Sequence, residues 1–391
     1  MKAAVEPRPG AQAPTDPLLE ASARVRTGPG WLQELREQAR QAYRDGWPHG
    51  GEPWRSTDLR PLSRMPLQAA PRPQAKPSQA DLEALGFTGE GVRLVFLDGH
   101  LEPSLCRVGD LPEGVRLGGL SQAWKEPAVE DHFARHADPD DPGVLLNTLF
   151  CQDGAVVELG RGASVEEPIH VLYIATGAHA DTLVAAPHTL LLAAEGAEAH
   201  VVECHAAVGT GPTVSAAVTE AVLAPGARLR HTRVQRQGLN DWHIGAVHAR
   251  VGRDASFGSL TLNLGSAVGR TDVTARLTAP GADCTLDGLF LASREQQQAC
   301  FTRVEHHEPH ATSRQLYKGI LDGAARGSFY GSVLVRPQAQ RTTAQQENRN
   351  LLLSRRALVD SIPQLEIHAD DVKCSHGSTI GHLQEDALFF L

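Results

Sequence analysis

The chain has few cysteines, few aromatic residues and no long apolar run. No two of its six cysteines lie closer than sixteen residues, which excludes a C-x-x-C metal knuckle and a thioredoxin-type pair. They are also too sparse in 391 residues for the disulfide framework of a secreted protein, so reduced thiols are expected. Apolar runs such as residues 189–194 fall far below the roughly 18 residues that a membrane span needs.

The sequence also lacks the motifs that would assign an enzyme activity. It contains no G-x-x-x-x-G-K-[ST] loop, so we do not expect this chain to hydrolyse nucleotide by itself. No G-x-S-x-G, H-E-x-x-H or dinucleotide fingerprint occurs in a convincing context. A net charge of −9 argues against a nucleic-acid partner, and residues 1–10 contain no apolar leader segment. These observations predict a cytoplasmic protein without a membrane span.

The first 150 residues predict a helical and irregular N-terminal region. Apolar residues recur at helical spacing over residues 31–45, which predicts one amphipathic helix. Four prolines in residues 66–77 exclude a helix there and indicate a stiff linker or loop. Ser78 and Asp81 then resemble a capping box at a helix start, ahead of Leu82 and Leu85.

From about residue 150 the apolar pattern changes to a period of two, which predicts strands. The predicted strands are 156–159, 169–174, 200–205, 213–223, 228–235, 243–251, 259–264 and 271–277. Because no helical pattern interrupts these segments, the sequence predicts a mainly β core over residues 151–365. Arg228, Arg230, His231, Arg233 and Arg236 are expected to form a polar strand face rather than a binding stripe.

A Gly-Ala or Asp-Ala step recurs between the strands. It begins at Gly162, Gly196, Gly226, Asp254, Gly281 and Gly323, a spacing of 27 to 42 residues. Such a period favours stacked coils over a β-sandwich, the competing architecture. The aromatic content of 5% agrees, because a narrow solenoid core is filled by Val, Leu, Ile and Ala.

The segment 366–391 carries the clearest chemical signal. Cys374 and His376 lie two residues apart, so an extended backbone presents thiol and imidazole on one face. Both are ligands for a soft or borderline metal ion. Lys373 points to the opposite face. Asp370 and Asp371 are either a solvated turn or oxygen ligands that assist metal entry.

Several ordered blocks in this region resemble one known family. DDVKCSHGSTIG at 370–381 is similar to the signature segment of the SufB/SufD proteins, scaffolds of iron–sulfur cluster assembly, and its CSHG form resembles the SufD branch. Further blocks at 345–354 and 363–367 are similar to the family's QQ-x-N-x-NLLLS and PQLEI. His306, Pro309, Ser313, Tyr317 and Lys318 fit an H-x-x-P-x-x-x-S-x-x-x-YK block, and Glu52 to Leu59 is similar to E-x-W-x-x-T-x-L.

This resemblance implies a right-handed parallel β-helix with a helical N-terminal region and a short C-terminal segment. It further implies a SufB-like partner, with His376 facing a partner cysteine where a transient iron–sulfur cluster forms, and Ser375 and Gly377 in support. Energy would come from a SufC-like ATPase. The family usually continues beyond the equivalent of Leu391 into a helical segment that docks this ATPase, so its binding here is open. Flavin binding by the complex and a homodimer of the isolated chain are also open.

Other readings of the candidate residues remain. Cys374 is either a ligand or a structural thiol, since an ordinary thiol is mostly protonated at neutral pH. His306, Glu308 and His310 form a second ligand-rich segment, although Pro309 disfavours a helix there and a structural block is the competing reading. Our leading hypothesis is a SufD-like, non-catalytic scaffold subunit. The alternatives are a structural β-solenoid without metal chemistry and a thiol-dependent enzyme using Cys374 with His376 as base.

Overall fold

The N-terminal third combines short helices with four short strands. The computed structural model describes residues 16–46, 51, 54–73, 75–85, 91–179 and 181–382. Within them lie α1 (Pro17–Ala23), α2 (Gly30–Gly46), β1 (Leu67–Ala69), α3 (Gln79–Ala84), β2 (Arg93–Leu97), β3 (His100–Leu101), β4 (Val115–Gly119), α4 (Leu120–Ala123), α5 (Pro127–His132) and α6 (Pro142–Phe150). Helix α2 confirms the helix predicted at 31–45, and Ser78 and Asp81 form the predicted capping box.

In the described part of residues 155 to 382, strands follow one another without helices. They are β5 (Ala155–Leu159), β6 (Ile169–Ala175), β7 (Thr182–Ala185), β8 (His188–Ala193), β9 (Glu198–Ala207), β10 (Thr213–Leu223), β11 (Arg228–Arg236), β12 (Trp242–Val251), β13 (Ser256–Asn263), β14 (Val268–Leu277), β15 (Asp283–Ala292), β16 (Gln297–His306), β17 (Thr312–Leu321), β18 (Arg326–Val335), β19 (Thr342–Leu352), β20 (Leu358–Ile367) and β21 (Val372–His382).

Consecutive strands alternate between two sheets, as the coils of a solenoid require. The even-numbered strands from β8 to β20 belong to sheet A, and the odd-numbered strands from β9 to β21 belong to sheet B. From β8 onward every pair of neighbours is parallel and in continuous register. This confirms the parallel β-helix and rejects the sandwich.

The recurring turn step has a conformational reason. Gly162, Gly196, Gly226, Gly281 and Gly323 all have φ between 64° and 74°. This left-handed backbone favours glycine, and Asp254 adopts it at the one step without glycine, with φ 52°. The alanine after the turn is buried in most coils, so its small side chain packs inward. The first five of these turns each lead from a strand of sheet A to the next strand of sheet B, whereas Gly323 lies in the turn from β17 back to β18.

The core follows the solenoid axis, and helices close part of its outside. Aliphatic residues of both sheets form one long cluster, with Phe257, Phe290 and Phe329 among its larger members. Helix α6 packs against β10 and β12 on the outer face of sheet A. Among the described residues, no helix is both long and apolar enough to cross a membrane.

The proposed division of the chain at residues 150 and 365 stays a prediction. Strand β2 pairs in parallel with β6, and β4 pairs antiparallel with β5, so strands before residue 151 extend both sheets. The described part of the proline-rich tract contains β1 and no helix. Glu52, Pro53 and residues 383–391 lie outside the described residues.

Candidate functional site

The last coil of the solenoid leaves an open end. In the described part of the chain, β20 pairs only with β18, and β21 pairs only with β19. Each of these strands therefore has an unpaired backbone edge. The coil is also much more exposed than those before it, and Ile362 and Ile380 remain 38% and 47% exposed. Unpaired strand edges with apolar side chains are surfaces on which other chains pair.

Cys374, His376 and Ser378 lie on one face of β21, as the two-residue spacing predicts. They align in register with Ala344, Gln346 and Asn348 of β19, which are all buried inside the solenoid. The face that carries Cys374 and His376 is therefore the inward face of the last coil. It is accessible because no described strand stacks on it. His376 is exposed, whereas Cys374 is half-buried.

Cys374 is a packed thiol on this face. It lies against an aliphatic cluster that includes Val333, Val335 and Ala344. Burial raises the pKa of Cys374, and a backbone hydrogen bond with Ala344 opposes the rise without cancelling it. The free thiol is therefore protonated at neutral pH. Thiolate chemistry at this position needs a metal ion or a cationic neighbour from elsewhere.

Gln346 is a functional candidate that the sequence pattern missed. It lies directly behind His376 in the register, and its Nε2 lies 3.4 Å from Gln315 Oε1. Its own Oε1 is buried and accepts no hydrogen bond from the described residues. The structure shows no hydrogen bond between His376 and Gln346, although adjacent strands are only about 4.8 Å apart. Such a bond would fix the ring and leave its other nitrogen as a ligand.

The predicted supporting residues flank this face. Lys373, Ser375 and Gly377 lie on the outward, exposed side of β21. Asp370 and Asp371 precede the strand. The Asp371 carboxylate lies 3.7 Å from the Arg341 guanidinium, and its backbone N–H donates to Gln340 Oε1. Both contacts are those of an ordered surface turn.

The described residues contain no group of three His, Cys, Asp or Glu side chains placed to hold a metal ion. Neighbouring same-face positions of one strand are about 7 Å apart, so Cys374 and His376 supply at most a partial ligand set. Iron or a nascent cluster at this face, as substrate, therefore needs further ligands from outside the described chain.

The second ligand-rich segment does not form a joint site. His306 ends β16 inside the solenoid, with its Nε2 2.9 Å from Ser313 Oγ, and burial with the nearby His307 lowers its pKa to about 4. Glu308 lies beyond the strand end, and His310 is exposed in a turn with φ 62°. Strand β16 ends at His306, so His306 and Glu308 do not share a strand face.

A buried ionic cluster inside the solenoid was also missed. Arg228, Arg230 and Arg236 are exposed, but His231 and Arg233 point inward. Arg233 donates to Glu203 Oε2 at 2.9 Å and to Thr219 Oγ1 at 2.6 Å, and both partners are fully buried.

The expectation of a single polar strand face is therefore wrong. The sequence signal that could have separated the two faces is the period of two along β11. Residues 229, 231, 233 and 235 point inward and alternate with the outward residues. His243 is also fully buried near this cluster.

Comparisons with known proteins agree with the fold and with the blocks at the open end. Residues 174–391 match the family described as "SUF system FeS cluster assembly, SufBD core domain", and residues 92–171 match "SufBD protein N-terminal region". The iron–sulfur cluster assembly protein SufD of Escherichia coli is 31% identical over 92% of this chain and 82% of its own length.

Two further relatives have lower sequence identity to this chain. A SufBD family protein of Synechocystis is 29% identical, over 87% of this chain and 77% of its own length. The protein SufB of Bacillus subtilis is 24% identical over 71% of this chain and 60% of its own length. The chain belongs to the SufBD family of iron–sulfur cluster assembly proteins and is SufD-like.

Proposed function

We propose that this chain is a scaffold subunit that pairs through its open solenoid end with a SufB-like protein and presents His376 to iron or to a nascent cluster. One observation carries the proposal: the inward face of the last coil bears Cys374 and His376, and no described strand covers it. The incomplete ligand set requires a second protein, and the unpaired edges of β20 and β21 provide a surface for it.

His376 is the first ligand in this proposal and Gln346 is its positioning residue. Neutral imidazole is the form of histidine that binds a metal ion. A hydrogen bond from the ring to Gln346 Oε1 would select one tautomer and aim the other nitrogen away from the solenoid. Cys374 contributes as a ligand only once a bound metal ion displaces its proton.

The subunit itself is non-catalytic in this proposal. A SufC-like ATPase in the same cytoplasmic complex supplies the energy, as the resemblance implies. The thiol-enzyme alternative is disfavoured because Cys374 packs against the aliphatic cluster that includes Val333, Val335 and Ala344; this burial raises its pKa, and a protonated thiol is a poor nucleophile.

The test is anaerobic co-purification with a SufB-like protein and a SufC-like ATPase, followed by light scattering and by iron and sulfide analysis. We expect a stable heteromeric complex, and we expect His376→Ala to preserve its mass but to lower its iron and sulfide content severalfold. His368→Ala is the matched control, since His368 is an exposed histidine of the same coil that pairs with Glu366 at 2.8 Å. Unchanged iron and sulfide in the His376 variant would reject its role.

Gln346→Leu separates the positioning role from simple packing. We expect this variant to pair normally but to load less iron, whereas Gln346→Glu, which keeps an acceptor oxygen, retains more. Failure of every partner to bind the folded chain would reject pairing and leave a structural solenoid. Fast, pH-dependent alkylation of Cys374 in the isolated chain would favour the thiol enzyme.

A further inference from the structure

The outer face of sheet B carries a row of aliphatic residues that nothing in the described chain covers. In a solvent-facing sheet these outward positions are normally polar. Here we define the leucine face as Leu262, Leu264, Leu289, Leu291, Ile320 and Leu351. Leu264 is 38% exposed, and the other five are half-buried. Contiguous exposed aliphatic surface of this kind marks an interaction site in soluble proteins.

The first part of the same face shows what kind of structure covers it. Helix α3 lies there and inserts Leu82, which is fully buried, against Leu172, Cys204 and Val234. Val234 aligns directly with Leu262 in the next coil, and Leu262 aligns with Leu289. The aliphatic row under α3 thus continues without a break into the leucine face.

The outer face of sheet B also has an excess of positive charge, whereas the helix that covers its first part carries acidic residues. Helix α3 carries Asp81 and Glu83, and Arg236 Nη1 donates to the carbonyl oxygen of Leu85 at its C-terminal end. In sheet B, the outward positions of the odd-numbered strands from β11 to β19 hold six cations and three anions, although the whole chain has a net charge of −9. They are Arg228, Arg230, Arg236, Arg314, Lys318 and Arg349, with Asp283, Asp287 and Glu347.

Three of these cations, Arg228, Arg230 and Lys318, are available to a partner. Arg314 and Arg349 pair with Asp287 and Glu347, at 3.2 Å and 2.6 Å. Arg228, Arg230 and Lys318 form no ion pair with any described residue. Lys318 stands next to Leu289 in the sheet register, so an anionic group bound over the leucines would meet an ammonium group at its edge.

We propose that the leucine face binds an amphipathic helix with acidic flanks, supplied by another protein. The bound helix would continue the row that α3 begins, with its leucines on Leu262 and Leu289 and its carboxylates toward Lys318 and Arg230. This mode is the helix-in-groove type of recognition, applied to an open sheet. The site lies on a different face from His376 and does not depend on the function proposed for the open end.

The probe is a labelled synthetic peptide of about 18 residues, five helical turns, with leucines along one face and glutamates on both flanks. Binding to the full chain is followed by fluorescence anisotropy. One control peptide has the same composition in scrambled order, and another carries lysine in place of glutamate. We expect the acidic amphipathic peptide to bind at least tenfold more tightly than either control and to weaken as salt is raised.

Substitutions locate the site. Burial of one leucine is worth a factor of roughly ten or more in affinity, so Leu289→Asp should weaken peptide binding at least tenfold. Lys318→Glu should weaken it severalfold, and low salt should enlarge that difference. Leu358→Asp is the matched control, because Leu358 is an exposed leucine on the other sheet, 52% accessible. This variant should bind the peptide as tightly as the native protein.

Three results would overturn the proposal. Equal binding of the three peptides would remove the requirement for an acidic amphipathic helix. A change in the mass of the free protein on Leu289→Asp would assign the face to a second copy of this chain. Binding to vesicles of phosphatidylcholine and phosphatidylserine that is lost with Leu289→Asp, without peptide binding, would assign it to an anionic lipid surface.

Discussion

At the scale of single residues, Gly245 shows how closely the solenoid interior is filled. A Cβ atom at this position would lie 2.7 Å from both Arg233 Nη1 and His243 Nε2. Both of those side chains are fully buried, so neither can move into solvent. We expect Gly245→Ala to lower the free energy of unfolding by about 1–3 kcal/mol through overpacking.

Denaturant titration measures this effect. Gly377→Ala is the matched control, since a Cβ there would have no atom within 4 Å, and it should change stability by less than about 0.5 kcal/mol. Equal stabilities of the two variants would contradict the packing seen around Arg233.

The Glu203–Arg233 pair is a second residue-scale case. Both side chains are fully buried, and Thr219 completes the hydrogen bonding of the carboxylate. Removing one partner leaves a buried charge, so Glu203→Leu should cost roughly 3–5 kcal/mol of folding free energy. The double variant Glu203→Leu with Arg233→Met should lose much less, because no charge is left unpaired.

Denaturation of the single and double variants separates these outcomes. If the double variant is as unstable as the single one, an unpaired buried charge does not explain the loss of stability in the single variant. The sequence could not predict this pair, because Glu203 and Arg233 are thirty residues apart and meet only through the register of β9 with β11.

At the scale of elements, Glu220 connects the N-terminal region to sheet A. Its carboxylate accepts hydrogen bonds from the backbone N–H groups of Ala134, His136 and Ala137 and lies 2.9 Å from His188 Nε2. Burial by itself would raise the pKa of Glu220. The hydrogen bond and charge of His188, with the backbone donors, outweigh burial and lower the pKa from 4.5 to about 2.

A lowered folded-state pKa fixes the sign of the pH dependence. The charged carboxylate stabilises the fold above its unfolded-state pKa near 4.5, and this contribution is lost as pH falls from there toward 2. Glu220→Gln should therefore lower the unfolding free energy by about 1–3 kcal/mol at pH 7, with the difference from the native protein shrinking below pH 4.5. Glu198→Gln, an exposed control, should have little effect at either pH.

Denaturation curves at pH 7 and pH 3.5 provide the measurement. A difference that stays constant between the two values would show that Glu220 acts through packing rather than through its charge.

The sequence predicted some helices and strands but not others. Helix α2 and strand β10 were predicted from the sequence, whereas β7 and β8 were missed because they are short, with four and six residues, and their apolar residues do not alternate.

At the scale of the whole molecule, the open end determines how chains associate. Two unpaired edges beside exposed Ile380 favour pairing with a second copy when no other partner is present. We therefore expect the isolated chain to be a homodimer at micromolar concentration and Ile380→Lys to shift it to monomer. Leu239→Lys should remain dimeric, since Leu239 is equally exposed, at 46%, in a turn distant from β21 in the strand order.

Light scattering or sedimentation velocity gives the mass directly. A native monomer would show that edge pairing needs a different chain. A dimer that survives Ile380→Lys but dissociates with Leu289→Asp would move the contact from the open end to the leucine face.

The sequence by itself determined the class of fold and the chemistry of the last strand. Period-two alternation, turns that need a left-handed residue and the Cys374–His376 spacing are all local, so they can be read along the chain. Only the tertiary structure decided which residues stack on which. Parallel coils bring together residues about thirty positions apart, and that register placed Arg233 on Glu203, put Gln346 behind His376, and left the outer leucines of sheet B uncovered.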